Sequence, residues 1–456
     1  VRRFIKLWKG NKLIRHRLVD VGHLLTGNFA ASMIGFAAFA LTARAIGAEG
    51  YGVLAMIYAW TRAIERLTTF QSWQPLIRYA AGLNHQTQRG ELAALYKFGL
   101  TLDIAGALSA FLISAGLAWF AGSYIGLSAE ARGLVVLYST TLLFHINGMP
   151  TAVMRLAGRF RMLAYGQVAG AVFRFACCLA AYLLGGGLLV FALVWMAVQV
   201  FTSLMLLVMA LLELRRQGVV GLVSAPLRGI TARFPGLWNF AWSSYLSLTI
   251  RASAQEFDTL LVGAIADPTS AGMFHMAKRI GRLALQAGVQ VQAVLYPDVA
   301  RLWAKGAIKE FKRATLQVEV LLGALGLLII GFFWFAAEPL LRWTAGAQFS
   351  EAAPLLLVQG IAVAASLAGV ALRSALLAMG RQQQILYLML AGTAAFYATA
   401  LLLIPAIGAM GANFAHIALS LILLVGMNVT FRRALRSGAR KVPATTAGIQ
   451  DDNLDI

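Results

Sequence analysis

Residues 321–337 and 361–371 each pass without a single charged side chain, in a chain with few long polar stretches. A helix needs about 20 mainly apolar residues to cross the hydrocarbon core, and inside that core every backbone polar group must find its partner within the fold. Repeated apolar runs therefore restrict the chain to a polytopic helical membrane bundle. Charged residues make up 12% of the 456 residues, against roughly 25% in ordinary soluble domains. A soluble globular enzyme is excluded on those grounds.

Twelve spans are predicted, near 21–44, 52–80, 95–121, 133–154, 163–184 and 188–212, then near 238–264, 271–296, 316–337, 353–379, 384–405 and 408–430. The first run follows a basic stretch, and Ala43-Arg44-Ala45 mimics a cleavage site. That run is longer than a secretory apolar region of about 7 to 15 residues, so it is expected to stay as a first span. With the N-terminus inside, 26 of the 39 Lys and Arg fall in interior segments and ten within spans. The exterior segments keep only Arg44, Arg132 and Arg342. Basic residues accumulate in cytoplasmic loops, so this split supports the span count and places both ends in the cytoplasm. It also explains the net charge of +21 without nucleic acid as a partner.

The expected organisation is all-α: a basic N-terminus over 1–20, a first six-helix lobe over 21–212, a basic linker over 213–236, a second lobe over 237–431, and a cytoplasmic tail over 432–456 whose polar end after Arg440 is expected to be disordered. A faint repeat relates the lobes. Ile46 to Gly52 and Ile265 to Gly272 each carry a short acid-containing turn that ends in glycine, and ten residues after the aligned glycines stand Arg62 and Arg282. Transporters are often built from such repeats, with the substrate site between them.

No phosphate-binding P-loop, nucleophile elbow or metal-ligand spacing is present, so neither a self-contained ATPase nor a hydrolase is expected. The adjacent Cys177 and Cys178 read as core filling. Ionisable residues within spans stand out, since each costs about 2.5 to 3.5 kcal/mol at the bilayer centre unless it faces protein or water. The second span carries Arg62, Glu65 and Arg66 on one helix face. The seventh carries Ser244, Ser247, Arg251, Gln255 and Asp258, and the eighth Arg279, Arg282, Gln286 and Gln290, with Lys278 beside them. Three polar stripes suit one water-filled cavity. Several cations against few acids would attract an anion, and guanidinium forks suit phosphate. Arg251 and Arg282 lead as binding residues, followed by Arg62, Arg66, Arg279 and Lys278. The alternative is helix glue through Glu65, Glu256 and Asp258, with Arg62–Glu65 the first such pair. Arg174 marks either a helix contact or the pathway. Asp103, Glu256 and Asp258 are candidates for carrying a coupling ion, while His145 and His275 read as satisfied polar residues.

The six-plus-six layout, the turn from Arg44 to Gly52, and Phe257-Asp258-Thr259-Leu260-Leu261-Val262-Gly263, followed by Ala271-Gly272-Met273-Phe274 and Ala277-Lys278-Arg279-Ile280, resemble the polysaccharide transporters. These are the O-antigen flippase-like branch of the multidrug, oligosaccharidyl-lipid and polysaccharide exporter superfamily. The resemblance implies two six-helix lobes around a central cavity, alternating access, and flipping of an undecaprenyl-pyrophosphate-linked oligosaccharide across a bacterial inner membrane. It makes the partners membrane lipids and the lipid-linked glycan, with glycan polymerases or glycosyltransferases beside them, and it implies no enzyme and no cofactor. In such flippases cavity cations hold the pyrophosphate, a role open here to Arg251 and Arg282. The coupling ion, H+ or Na+, stays open: the first span holds Asn28 and Ser32 but no carboxylate after Asp20, unlike the drug-exporter branch. A cation-coupled drug or metabolite exporter and a non-transporting scaffold of a glycan-synthesis complex are the competing readings.

Overall fold

Gly47 turns the first helix back on itself. The computed structural model describes residues 12–70, 72–83, 87–122 and 129–438; the expectations for 1–11 and for the tail beyond 438 lie outside that range. Helix α1 (Lys12–Thr68) holds one residue with non-helical dihedrals, Gly47 at φ 71° and ψ −179°, a conformation that costs a residue with a Cβ. The rings of Phe39 and Tyr58 lie 6.3 Å apart, whereas a straight helix would separate residues nineteen apart by about 28 Å. Helix α1 is therefore a hairpin of two spans.

The chain continues through α2 (Trp73–Ala80), α3 (Arg89–Ala121), α4 (Ala129–Ser139), α5 (Gly148–Leu156), α6 (Phe160–Leu183), α7 (Leu188–Arg216), the single turn α8 (Ile230–Arg233), α9 (Leu237–Glu256), α10 (Asp258–Ile265), α11 (Pro268–Ala304), α12 (Ile308–Thr344), α13 (Ala353–Ala378), α14 (Gln382–Ile407) and α15 (Ala409–Gly438). Among the described residues, eight helical segments are long and apolar enough to cross a membrane, the first being the hairpin. The pairs α4/α5 and α9/α10, and the charged α11, complete twelve passes in two six-helix lobes.

Three predicted spans are not the unbroken helices expected. The second stops at Thr68 and restarts at Trp73, the fourth is interrupted at 145–147, and the seventh breaks at Phe257. Pro150 has no N–H to offer the Ile146 carbonyl and sits in the first turn of α5, where that loss costs least, which favours the break at 145–147. Asp103 fastens two of these breaks together. Its carboxylate accepts from Ser72 Oγ at 2.6 Å and from Met149 N at 2.7 Å, which satisfies a helix-start N–H within the apolar layer. A Cβ on Gly148 would stand 2.0 Å from Ser72 Oγ, so only glycine admits this approach. The linker folds back on the first lobe, where Lys97 Nζ donates to the carbonyls of Val223 and Ala225 at 2.6 and 2.8 Å.

Core packing differs between the two ends of the bundle. Around the turns at 44–52, 266–268 and 345–352, one apolar cluster joins both lobes through Phe39, Tyr51, Trp195, Phe274, Phe349 and Phe396. At the opposite end, which carries the linker and most of the exposed Arg and Lys, the clusters are separate. One gathers residues 76–237 and another residues 295–431. The lobes are sealed at one end and parted at the other.

Candidate functional site

A cavity of about 800 Å3 lies between the lobes, lined from α1, α5, α6, α7 and α11. It runs from Phe39 and Tyr58 at mid-bundle toward the basic end, where Asn28, Arg155, Leu163 and Met209 border it. Four guanidinium groups, those of Arg155, Arg174, Arg279 and Arg282, line it, and no carboxylate among the described residues does so. None of the four is in an ion pair among the described residues.

Aromatic faces hold some of these cations in place of acids. The Arg279 guanidinium carbon lies 3.3 Å and that of Arg174 5.2 Å from the Phe39 ring centroid, and Arg155 sits 4.5 Å from that of Trp73. Such contacts contribute about 0.5 to 2 kcal/mol each and leave the N–H groups able to donate. Cations shut away from water at mid-membrane depth would cost about 2.5 to 3.5 kcal/mol each, a large share of the stability of a domain. Helix glue would pair them with acids. Their position on a cavity that reaches toward water is the arrangement that avoids the cost and leaves charge for an anion.

Polar uncharged groups fill the remaining wall. Gln286 Nε2 donates to Ser32 Oγ at 2.6 Å, joining α11 to α1 across the lobes. The buried Asn28 Oδ1, Gln199 Nε2, Gln286 Oε1 and Arg279 Nε make no hydrogen bond among the described residues.

A smaller pocket of about 60 Å3 opens beside the first and shares Tyr58, Arg279 and Arg282 with it. Arg62, Glu256, Thr259, His275 and Lys278 complete its wall. Here charges are paired. Arg62 Nη1 meets Glu65 Oε2 at 2.6 Å, and the other oxygen of Glu65 meets His145 Nε2 at 2.9 Å. Lys278 Nζ lies 2.5 Å from Asp258 Oδ1, and His416 Nε2 lies 2.8 Å from Asp258 Oδ2.

Of the cations singled out in the sequence, Arg279 and Arg282 thus line both spaces, and Arg62 and Lys278 line the smaller one while bound to acids. Arg66 borders neither and lies 3.8 Å from Glu256. The side chains of Arg251, Ser247, Gln255 and Gln290 lie outside the described residues. Among the acids, Glu256 faces the small pocket, Asp258 is fully buried behind it, and Asp103 lies apart from both, engaged in fastening α5. Arg155 and His416 were missed, and Arg174 was left undecided. Arg155 reads as a loop residue until the break before Pro150 is known. His416 had a signal, being the only ionisable residue between 409 and 431.

The repeat in the sequence has a counterpart in space. A Cβ on Gly52 would stand 1.7 Å from the Pro268 carbonyl oxygen, and one on Gly272 would stand 2.9 Å from Gly52 Cα. The aligned glycines touch, and the aligned Arg62 and Arg282 face one pocket. Matching positions of the two lobes meet across the centre of the molecule.

The two-lobed helical fold is shared with solved transporters of the multidrug, oligosaccharidyl-lipid and polysaccharide exporter superfamily. A multidrug resistance transporter of that superfamily in an inward-facing conformation superposes with a TM-score of 0.73, 13% identity and coverage of 93% of this chain and 99% of the other. The lipid II flippase MurJ, in an inward closed conformation, superposes with a TM-score of 0.68, 11% identity and coverage of 91% and 89%. The chain belongs to the polysaccharide biosynthesis protein family, whose profile matches residues 41–354. It is also similar to the inner membrane protein YghQ of Escherichia coli (strain K12), 23% identical over 359 residues, covering 77% of this chain and 99% of the relative.

Proposed function

We propose that this protein flips a lipid-linked oligosaccharide, carried on undecaprenyl pyrophosphate, across a bacterial inner membrane by alternating access, with both termini in the cytoplasm. The observation that carries the reading is the cavity lined, among the described residues, by four guanidinium groups and no carboxylate. A pyrophosphate offers several acceptor oxygens to such forks, and charge-assisted bonds of this kind contribute about 1.5 to 3 kcal/mol each. Arg279 and Arg282 hold the diphosphate; Arg174 and Arg155 extend the cationic track toward the basic end. Uncharged Asn28, Gln167, Gln199 and Ser203 supply donors and acceptors for the sugar hydroxyls. Family membership and a fold shared with a lipid II flippase support the reading. A cation-coupled drug exporter would want acids on this wall.

The test is the leaflet distribution of lipid-linked glycan in cells lacking the protein, read by access of an external glycan-modifying enzyme. Inner-leaflet intermediates should accumulate, and wild-type protein but not Arg282→Ala, at equal abundance, should relieve them. Full relief by the Arg282→Ala variant contradicts the proposed site. A variant whose abundance falls in step with its activity favours the scaffold reading.

A further inference from the structure

Phe39 belongs to two parts of the molecule at once. It is buried in the apolar cluster that seals the lobes together, edge-on to Trp195 at 4.5 Å and 75°. It also lines the cavity, where the Arg279 guanidinium carbon lies 3.3 Å from its ring centroid. Phe39 stands on α1 in the first lobe and Arg279 on α11 in the second, so this cation–π contact crosses from lobe to lobe. Ala277 and Ile280, on either side of Arg279, lie in the sealing cluster. The contact is thus part of the closed end and part of the wall that faces an anion.

A ring holds a guanidinium through the charge of the cation. An anion bonded to the N–H edge of that guanidinium offsets the charge, and the ring then holds it less tightly. Ring and anion compete for one charge even where they touch different atoms. We propose that Phe39 is the residue through which a bound anion acts on the sealed end: in the empty cavity Arg279 is bolted to Phe39 across the lobes, and an anion on Arg279 weakens that bolt, so the loaded protein unseals more readily than the empty one. The inference rests on the anion-binding reading of the cavity, and it makes Phe39 a positioning residue that acts through Arg279. Coupling of this kind is reciprocal, so weakening the ring's hold on Arg279 must also favour the anion.

Other contacts near this seam lack that sensitivity. Arg174 lies 5.2 Å from the same centroid but comes from α6, in the lobe that holds Phe39, so it ties no lobes together. Seven residues along both helices, Gln286 Nε2 donates to Ser32 Oγ at 2.6 Å, a bond between neutral groups that carries no charge for an anion to offset. The Tyr51 hydroxyl stands close to the Arg279 guanidinium and bonds His275 at 2.8 Å, which makes it the competing link between Arg279 and the first lobe.

The test uses the full-length protein in nanodiscs, carrying Ala48→Cys in a background without Cys177 and Cys178, with methanedisulfonate, a diphosphate mimic that does not titrate near neutral pH, as the anion. Maleimide labelling at position 48 reads unsealing. With Phe39 intact, saturating anion should speed labelling by about twofold to thirtyfold, the range that one cation–π contact allows. A trifluorinated phenylalanine in place of Phe39 keeps the shape of the ring and drains electron density from its face. Labelling should then be faster without anion, the effect of the anion should shrink toward none, and its calorimetric affinity should rise. A fluorinated protein that behaves like the wild type overturns the coupling, because packing alone then explains the ring. Tyr51→Phe should keep the anion's effect; its loss there and survival in the fluorinated protein overturns the role of Phe39. Binding that depends on Arg282 but leaves labelling unchanged overturns the coupling alone. No binding, or binding indifferent to Arg282→Ala, overturns the anion cavity and the coupling with it.

Discussion

The two ends of this bundle are built from the same kinds of helix and differ in what joins the lobes. At the sealed end, contact is close and specific. Gly52 lies against Pro268 and Gly272, Tyr51 bonds His275, and Ala48 N donates to Gln348 Oε1 at 3.0 Å. The rings of Phe39 and Trp195, 4.5 Å apart, floor the cavity from that side. At the basic end, each lobe keeps its own apolar cluster and the space between them is polar and cationic. The difference teaches what opening the sealed end would require. There the lobes share one apolar cluster, trimmed by close glycine contacts and single hydrogen bonds, whereas at the basic end each lobe is packed within itself.

The strongest way to break this comparison is to deny the sealed end its closest approach. Gly52→Val places atoms where the Pro268 carbonyl stands, and overpacking of this kind costs about 1 to 3 kcal/mol or more. Transport should be lost, and a cysteine replacing the buried Ala48, in a background without Cys177 and Cys178, should become reactive to a membrane-impermeant maleimide. Silence of that cysteine would show that the end opens elsewhere. A smaller effect is expected at Asp103→Ala, which removes two hydrogen bonds that hold the broken helices of the first lobe. Two bonds at about 1 kcal/mol each lower the melting temperature of a lobe of this size by about 4 to 8 °C, while the Ala48 position stays protected. The smallest effect is expected at Tyr51→Phe. One hydrogen bond contributes about 1 kcal/mol, so labelling at position 48 should speed up about fivefold.

The sequence made the spans legible because lipid demands long apolar runs, and the agreement is closest for α6, α7, α13 and α14, which carry few internal charges. It also exposed the repeat, through Gly52 and Gly272 with Arg62 and Arg282, although only the structure shows that these positions meet. The breaks were hidden because hydropathy is blind to backbone satisfaction. Asp103, a candidate carrier of a coupling ion by sequence, accepts the hydrogen bonds that make an interrupted helix tolerable in an apolar layer. The site was partly legible for a similar reason. Arg279 and Arg282 sit on a stripe with Gln286, whereas Arg174 and His416 are isolated in their own helices and acquire meaning through partners far away in the chain, Phe39 and Asp258. Local spacing does separate Arg62, which has Glu65 one turn on and is held by it, from Arg279, which has no acid within a turn and is held by an aromatic ring.

The central claim is that unpaired guanidinium groups hold the diphosphate of a lipid carrier, and native mass spectrometry of the purified protein with undecaprenyl diphosphate tests it most directly. The account predicts a bound lipid on the wild type and on Arg66→Ala, and its loss from a protein carrying both Arg279→Ala and Arg282→Ala. Equal occupancy of the double variant and the wild type would contradict it.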